Sequence, residues 1–432
     1  MFASWQSFPI YIGIISWPFY KSFSVSCLVS GGLLWFLFPI PSLPKLNKTL
    51  ISSLEDELAT NRPLFWNNEE ERRHVYYKVY YPCIQTKQKD FEPLISHFDK
   101  RIPYLSNLFN FPLFLLAYTQ YGKSNTLRNV PIDKKRYPVV VISHGLTGTF
   151  DSHTSLAEAI SSHGYIVVVL DHIGCATVAY LPKSDKIYKY MAGLQGHSLT
   201  SAFEKRQVHV QIRIQDIKDV VGKLKERDLD LNDPLYGCID TSILHLIGHS
   251  LGGCTALEFN GIPVKSVTVL DAWTFPLSTS TILHPPLRHT LAIQATEWFY
   301  KGDAFGKHND NDIHQYCKHI VYPSTLEKDT RNEMDRSVYE QLEQSTSESG
   351  YKAFVIRLPM GHTDPTDCKF LMHPFLLKRI GLYKALCTPL ELHTYFVKSI
   401  IGFMKSNEND NFEGLESILT SIEHSEMEIF NK

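Results

Sequence analysis

From Ile243 to Phe259 the chain reads ILHLIGHSLGGCTALEF: an apolar run, then Gly-His-Ser-Leu-Gly-Gly, then a segment able to form a helix. A Gly-x-Ser-x-Gly pattern arises by chance in roughly one chain of this length in seven, so the pattern alone says little. Its setting says more. A serine on a sharp strand-to-helix turn has a strained backbone and an exposed hydroxyl, and small neighbours let other segments approach it closely. The helix that starts beside it adds the positive end of its dipole. These features suit attack by Ser250 on an electrophile. The alternative is a structural glycine-rich turn.

A serine hydroxyl needs a base, and the base needs an acid to orient it. In the order serine, acid, histidine, both partners should follow strands downstream of Ser250. The strand-like run SVTVLD ends in Asp271, and AFVIRLP leads into MGHTDPTD, which offers His362. Other residues compete for these roles. His249 adjoins the serine, but its side chain is expected to point away across the turn. His172 and Asp171 lie upstream and would need a rearranged order, while Asp364 and Asp367 sit on the same loop as His362. The oxyanion formed on attack needs N–H donors held in place. The backbone of Leu251, just after the serine, is one candidate. Leu146, in the turn that follows VVVIS-His144-Gly145, is the other. Such chemistry calls for no cofactor and no metal.

Elements able to position these residues begin near residue 138. PVVVIS, YIVVVLD, ILHLIG, SVTVLDA, HTLAIQA and AFVIRLP are short and β-branched, as expected of strands buried on both faces of a mostly parallel sheet. Helical segments alternate with them. Val210, Ile214, Ile217, Val221 and Leu224 recur at steps of three and four and form one buried stripe. The expected architecture is α/β: a mostly parallel, doubly wound sheet with flanking helices.

Before and after this body the composition shifts. Between Met1 and Pro44 the only charged side chain is Lys21, with an apolar block on either side. The second block is just long enough to span a bilayer as a helix. A membrane anchor or hairpin through residues 9–40, a cleaved signal peptide and a buried N-terminal helix are the competing readings. The expected location is membrane-associated, with secreted and cytoplasmic chains as alternatives. The sequon at Asn47 would be usable only on a lumenal side. Residues 45–72 are expected as a linker of helical or irregular backbone, 73–405 as the main domain and 406–432 as a polar acidic tail. The apolar stretch 102–122 is read as a packed or surface-inserting helix. A net charge of −2 gives no reason to expect nucleic acid as a partner. The eight cysteines contain no CxxC pair and fit free thiols better than a disulfide framework.

Four blocks in order, PVVVISHGLTGTFDSHTSLAEAISSHGYIVVVLDH, IGHSLGGCTA, VLDAWTFPL and GHTDPTDCKF, resemble the serine-dependent platelet-activating factor acetylhydrolases. These are α/β-hydrolases, and the resemblance covers about residues 70–405. It implies calcium-independent hydrolysis of acetyl, short or oxidised acyl groups at the sn-2 position of phospholipids at a membrane or lipoprotein interface. By matching blocks it implies Ser250 as nucleophile, Asp271 as acid, His362 as base, and Leu146 and Leu251 as oxyanion donors. Leu251 stands where better-known members carry an aromatic residue, and the stretch from Leu277 to Arg357 diverges most, so acyl-length preference does not transfer. A carboxylesterase or acyltransferase acting on another small ester, or a non-catalytic membrane-tethered binding protein, are the rival readings.

Overall fold

The computed structural model describes residues 5–17, 21–45, 49–65, 68–108, 112–190, 199–274, 276–283, 288–295, 350–422 and 426–430. Strands β1 (Ile51–Phe65), β2 (Asn68–Pro82), β3 (Phe91–Pro93) and β4 (Lys123–Arg128) make one wing of an eleven-stranded sheet. β5 (Tyr137–Ser143) and β6 (Ile166–Asp171) follow, and then a separate ribbon of β7 (Val178–Leu181) and β8 (Lys186–Lys189). β9 (Ile239–His249), β10 (Ser266–Leu270), β11 (His289–Ala295), β12 (Ala353–Leu358) and β13 (Glu426–Phe430) complete the sheet. Its order is β13-β12-β11-β10-β9-β5-β6-β2-β1-β4-β3. The six strands from β6 across to β12 run parallel to their neighbours. Winding reverses between β5 and β9, so the crevice beyond their carboxyl ends is where such a sheet places a ligand.

Each central strand feeds two cores, because successive side chains face opposite ways. Val139 and Val141 pack into one core with Val210, Ile214 and Leu224, as the predicted stripe requires; Val140 and Ile142 join the other with Leu156 and Ile400. The stripe lies on α6 (Leu199–Leu229), as α7 (Leu251–Glu258) covers the same face. The second face carries α5 (Thr154–Ser162) and the helix Pro389–Asn409. The latter starts from a capping box in which Thr388 Oγ1 accepts from Glu391 N at 3.3 Å and Glu391 Oε2 accepts from Thr388 N at 2.8 Å.

Two expectations about the flanks need correction. Residues 51–65 and 68–72 are not an irregular linker. They form β1 and the first part of β2, an antiparallel pair that joins the sheet through the β2–β6 contact. Charged residues suit this strand because partners wait across the fold: Glu55 lies 3.4 Å from Lys78 and Asp56 lies 2.8 Å from Arg227. The polar tail is also more than a tail, since β13 pairs antiparallel with β12 and closes that edge. The stretch 102–122 breaks into the end of α3 (Phe98–Leu108), the short α4 (Leu113–Leu116) and one further turn.

At the N-terminus, α1 (Phe8–Ser16) and α2 (Lys21–Leu37) fold back on each other. No described helix is long and apolar enough to cross a membrane. The two helices make a hairpin. Asn47 lies outside the described residues.

Candidate active site

Ser250 sits where β9 ends and α7 begins, at φ 54° and ψ −119°. An L-residue at such a φ costs on the order of 1–3 kcal/mol, and surrounding contacts must hold it there. They are present. Ser250 N donates to Leu270 O at 3.2 Å, and Ser250 O accepts from Trp273 N at 2.9 Å, tying the turn to the end of β10. The glycines around it are required by space. A Cβ on Gly248 would stand 2.1 Å from Gly252 O, one on Gly252 2.0 Å from Ser143 O, and one on Gly253 2.7 Å from the Ala272 Cβ. The glycine-rich run is therefore a close crossing of three strand ends.

The structure brings Ser250, Asp271 and His362 together. Asp271, fully buried just beyond β10, has its N–H bonded to Ile293 O at 2.7 Å. One carboxylate oxygen accepts from Ala295 N at 3.1 Å, and the other lies 2.6 Å from His362 Nδ1. A carboxylate only accepts, so His362 carries its proton on Nδ1 and presents the Nε2 lone pair. That lone pair meets the Ser250 hydroxyl at 2.9 Å. The His362 side chain is 22% exposed, so this relay opens to solvent at the imidazole.

Other candidates support the His362 loop. Asp364 accepts from Gly361 N at 2.8 Å and Ala385 N at 2.7 Å, and Asp367 accepts from Ser155 N at 2.8 Å. His249 does not point away from the site. Its Nε2 donates to His362 O at 2.8 Å, and the two rings lie 4.9 Å apart. Burial, with the neighbouring His362 and His153, holds its pKa well below the usual histidine value and keeps it neutral. Nothing in the sequence revealed this brace, because it depends on where a loop 113 residues away returns.

His172 belongs to a second, sealed relay. Ser143 Oγ–H meets His172 Nε2 at 3.0 Å, and His172 Nδ1–H meets Asp216 Oδ2 at 3.0 Å. Asp216 is held in turn by Arg73 through both carboxylate oxygens. All four residues are buried. Burial first, then the Arg213 charge, lowers His172 to about 4. Asp171, the other upstream candidate, is engaged by Arg101 at 3.1 Å. Ser143 thus has a base and an acid but no access to substrate.

The two backbone donor candidates flank Ser250. Leu251 opens α7, where first-turn N–H groups have no intrahelical acceptor. Leu146 follows Gly145, whose hypothetical Cβ would lie 3.1 Å from Ser250 Cβ, so this loop abuts the serine directly. Among the described residues no group of three or more His, Cys, Asp or Glu side chains is arranged to hold a metal ion. Seven cysteines are described, and all are free thiols.

A family model described as "Platelet-activating factor acetylhydrolase, isoform II" matches residues 66–422. A protein from Canis lupus familiaris named "Platelet-activating factor acetylhydrolase" is 28% identical over 33% of this chain and 36% of its own length, and one from Bos taurus with the same name is 26% identical over 33% and 36%. The matches thus span about a third of these relatives. A Schizosaccharomyces pombe protein named "Putative phospholipase A2" is 22% identical over 80% of this chain and 86% of its own. Among solved structures, a ferulic acid esterase from Streptomyces cinnamoneus superposes with a TM-score of 0.58 at 16% identity, covering 84% of this chain and 92% of that one. At that identity the likeness speaks to the fold alone.

Proposed function

The chain belongs to the platelet-activating factor acetylhydrolase isoform II family of α/β-hydrolases, and from that premise we propose that it hydrolyses the sn-2 acetyl, short or oxidised acyl ester of phospholipids, without calcium, through an acyl-enzyme. The observation that carries this reading is the continuous relay from Asp271 through His362 to the Ser250 hydroxyl, at 2.6 and 2.9 Å. Ser250 Oγ attacks the ester carbonyl as His362 Nε2 takes its proton. Asp271 keeps the imidazole in the required tautomer and stabilises its charged form. The oxyanion is met by the N–H groups of Leu146 and Leu251, and the protonated His362 then passes its proton to the departing lysophospholipid oxygen. Water, activated by His362, releases the short acid from Ser250.

The N-terminal hairpin supports placing this site at a lipid surface. Its helices meet through small residues: Gly13, Ser24 and Gly31 are buried, and Ser16 Oγ lies 2.8 Å from Ser24 Oγ. Phe8, Ile15, Phe23, Val29, Leu33 and Phe36 face outward and are more than half exposed. Small and hydroxyl residues inside with large apolar ones outside is the arrangement of helices packed in lipid, where burying Leu or Phe between helices gains nothing. Its base is tied to the segment after the His362 loop, with His373 N donating to Leu37 O at 2.9 Å and the Phe36 and His373 rings 4.0 Å apart.

Ser250→Ala is the test. It should abolish ester hydrolysis and fluorophosphonate labelling while thermal unfolding stays unchanged. Retained hydrolysis in that variant defeats the proposal. A panel of acetyl and long-chain sn-2 phospholipids beside simple carboxylic esters separates this reading from a general carboxylesterase, for which head group and sn-2 chain would not matter.

A further inference from the structure

We propose that Arg213 is a positioning residue for the oxyanion hole, fixing the Gly145–Leu146 peptide so that the Leu146 N–H faces the reacting ester oxygen. The inference rests on the acyl transfer at Ser250 proposed above. Arg213 projects from α6 into the protein and is fully buried. Its Nη1 donates to His144 O at 2.5 Å and its Nη2 to Gly145 O at 3.3 Å.

What this does follows from peptide geometry. A trans peptide is planar, and its C=O and N–H point in opposite directions. Gly145 O belongs to the same peptide as the Leu146 N–H, so whatever grips the oxygen aims the hydrogen. Three donors grip it: Arg213 Nη2, Gly148 N at 3.1 Å and His144 Nδ1 at 2.6 Å. His144 is itself fixed in tautomer, because its Nε2 accepts from His172 N at 3.2 Å and Nδ1 therefore carries the proton. Two consecutive carbonyls thus turn inward onto one buried cation, and their N–H groups turn the other way. Gly145 itself packs against Ser250, since a Cβ on it would come 3.1 Å from the Ser250 Cβ, tighter than ordinary contact.

The grip of Arg213 on the two peptides is directional. Asp216, the nearest buried carboxylate on α6, is already engaged by Arg73 and by Arg62 at 2.7 Å. Besides the two carbonyls, Arg213 interacts with the Cys175 thiol: burial opposes the thiolate, but His209 and then the Arg213 charge outweigh it and bring the thiol down to about 6. That thiolate balances the Arg213 charge at neutral pH, so Arg213 acts on the two peptides through the direction of its hydrogen bonds. Lysine could supply charge but not the fork that spans two adjacent carbonyls.

A buried arginine also stabilises the fold, so the test must read something folding does not move. An oxoester develops an oxygen anion that depends on the N–H donors, whereas its thionoester counterpart develops a sulfur anion that accepts N–H bonds poorly. The ratio of kcat/KM for p-nitrophenyl acetate to that for O-p-nitrophenyl thioacetate is independent of how much enzyme is folded. In Arg213→Lys and Arg213→Gln, oxoester turnover should fall about a hundredfold through kcat, in line with loss of one oxyanion donor. Thionoester turnover should fall far less, so the ratio narrows by about tenfold or more. Equal losses on both substrates, or no loss on either, overturn the role of Arg213 while leaving Ser250 chemistry intact. Absence of Ser250-dependent hydrolysis in the unaltered protein would instead defeat the function on which the inference rests.

Discussion

The imidazole of His249 donates its Nε2 proton to the backbone carbonyl of His362, 2.8 Å away, so the residue beside the serine holds the loop that delivers the base. Phenylalanine would keep the ring and lose the donor. Leaving such an acceptor unmet costs about 1–3 kcal/mol, and His362 gains freedom to leave the Ser250 hydroxyl. His249→Phe is expected to lower kcat about tenfold with KM nearly unchanged, since 1.4 kcal/mol is a factor of ten in rate. Steady-state kinetics beside an active-site titration with a fluorophosphonate checks this. An unchanged kcat would mean that the loop holds its shape through Asp364 alone.

Gly252 and Gly222 should respond to alanine with opposite signs. At Gly252 the new Cβ would collide with Ser143 O at 2.0 Å, pushing α7 off β5 and taking Ser250 with it. A destabilisation of about 3 kcal/mol and near-complete loss of hydrolysis are expected. Gly222 lies within α6 with open space around its hypothetical Cβ, and there alanine should add about 0.5–1 kcal/mol through helix propensity. Chemical denaturation of the two variants decides whether the elbow glycines are spatial necessities.

How much of this was legible in the sequence depends on what each residue leans on. Ser250, Asp271 and His362 each follow a β-branched run, and buried parallel strands announce themselves by that composition, so chain order could do the rest. The polar β1 hid because its glutamates and aspartates find cations only in the folded chain, as Glu55 does at Lys78. The buried charges of α6 hid for a related reason. Arg206, Arg213 and Asp216 lie among Val210, Ile214 and Ile217 on the inward side of the helix, but a periodicity argument assigns charge to the solvent face by default. Their partners, the His144 and Gly145 carbonyls and His172, come from loops that no local pattern connects to a helix 44 to 69 residues on.

His172 sets an acid limit on stability. Folded, it titrates at about 4, below the ordinary histidine value of 6.5, because burial and Arg213 disfavour its charged form. Between those two values the unfolded chain binds more protons than the native one, so stability rises with pH there and is lost as pH falls from 6.5 towards 4. The fully buried ring makes this about 3 kcal/mol. His172→Gln lowers stability at pH 7.5 by breaking the Ser143–His172–Asp216 chain, but its melting temperature should fall less steeply between pH 6.5 and 4.5 than that of the unaltered protein. Parallel slopes in the two proteins would show that other groups set the acid limit.

The hairpin makes the prediction that bears on location. Ile15 is 72% and Val29 67% exposed, and they lie on faces that the helix pair itself does not cover. Burying each in lipid is worth about 1.5–3 kcal/mol, whereas an aspartate there would carry an unpaired charge into the acyl region. Ile15→Asp combined with Val29→Asp should therefore release the protein from phosphatidylcholine vesicles in a flotation assay. Neither residue touches Ser250, Asp271 or His362, so turnover of soluble p-nitrophenyl acetate should stay the same while hydrolysis of vesicle-borne phospholipid drops. Should both substrates respond equally, the hairpin acts on folding; should neither respond and flotation persist, lipid contact lies elsewhere, with the exposed Phe375, Ile380 and Leu386 beside the His362 loop as the next surface to alter.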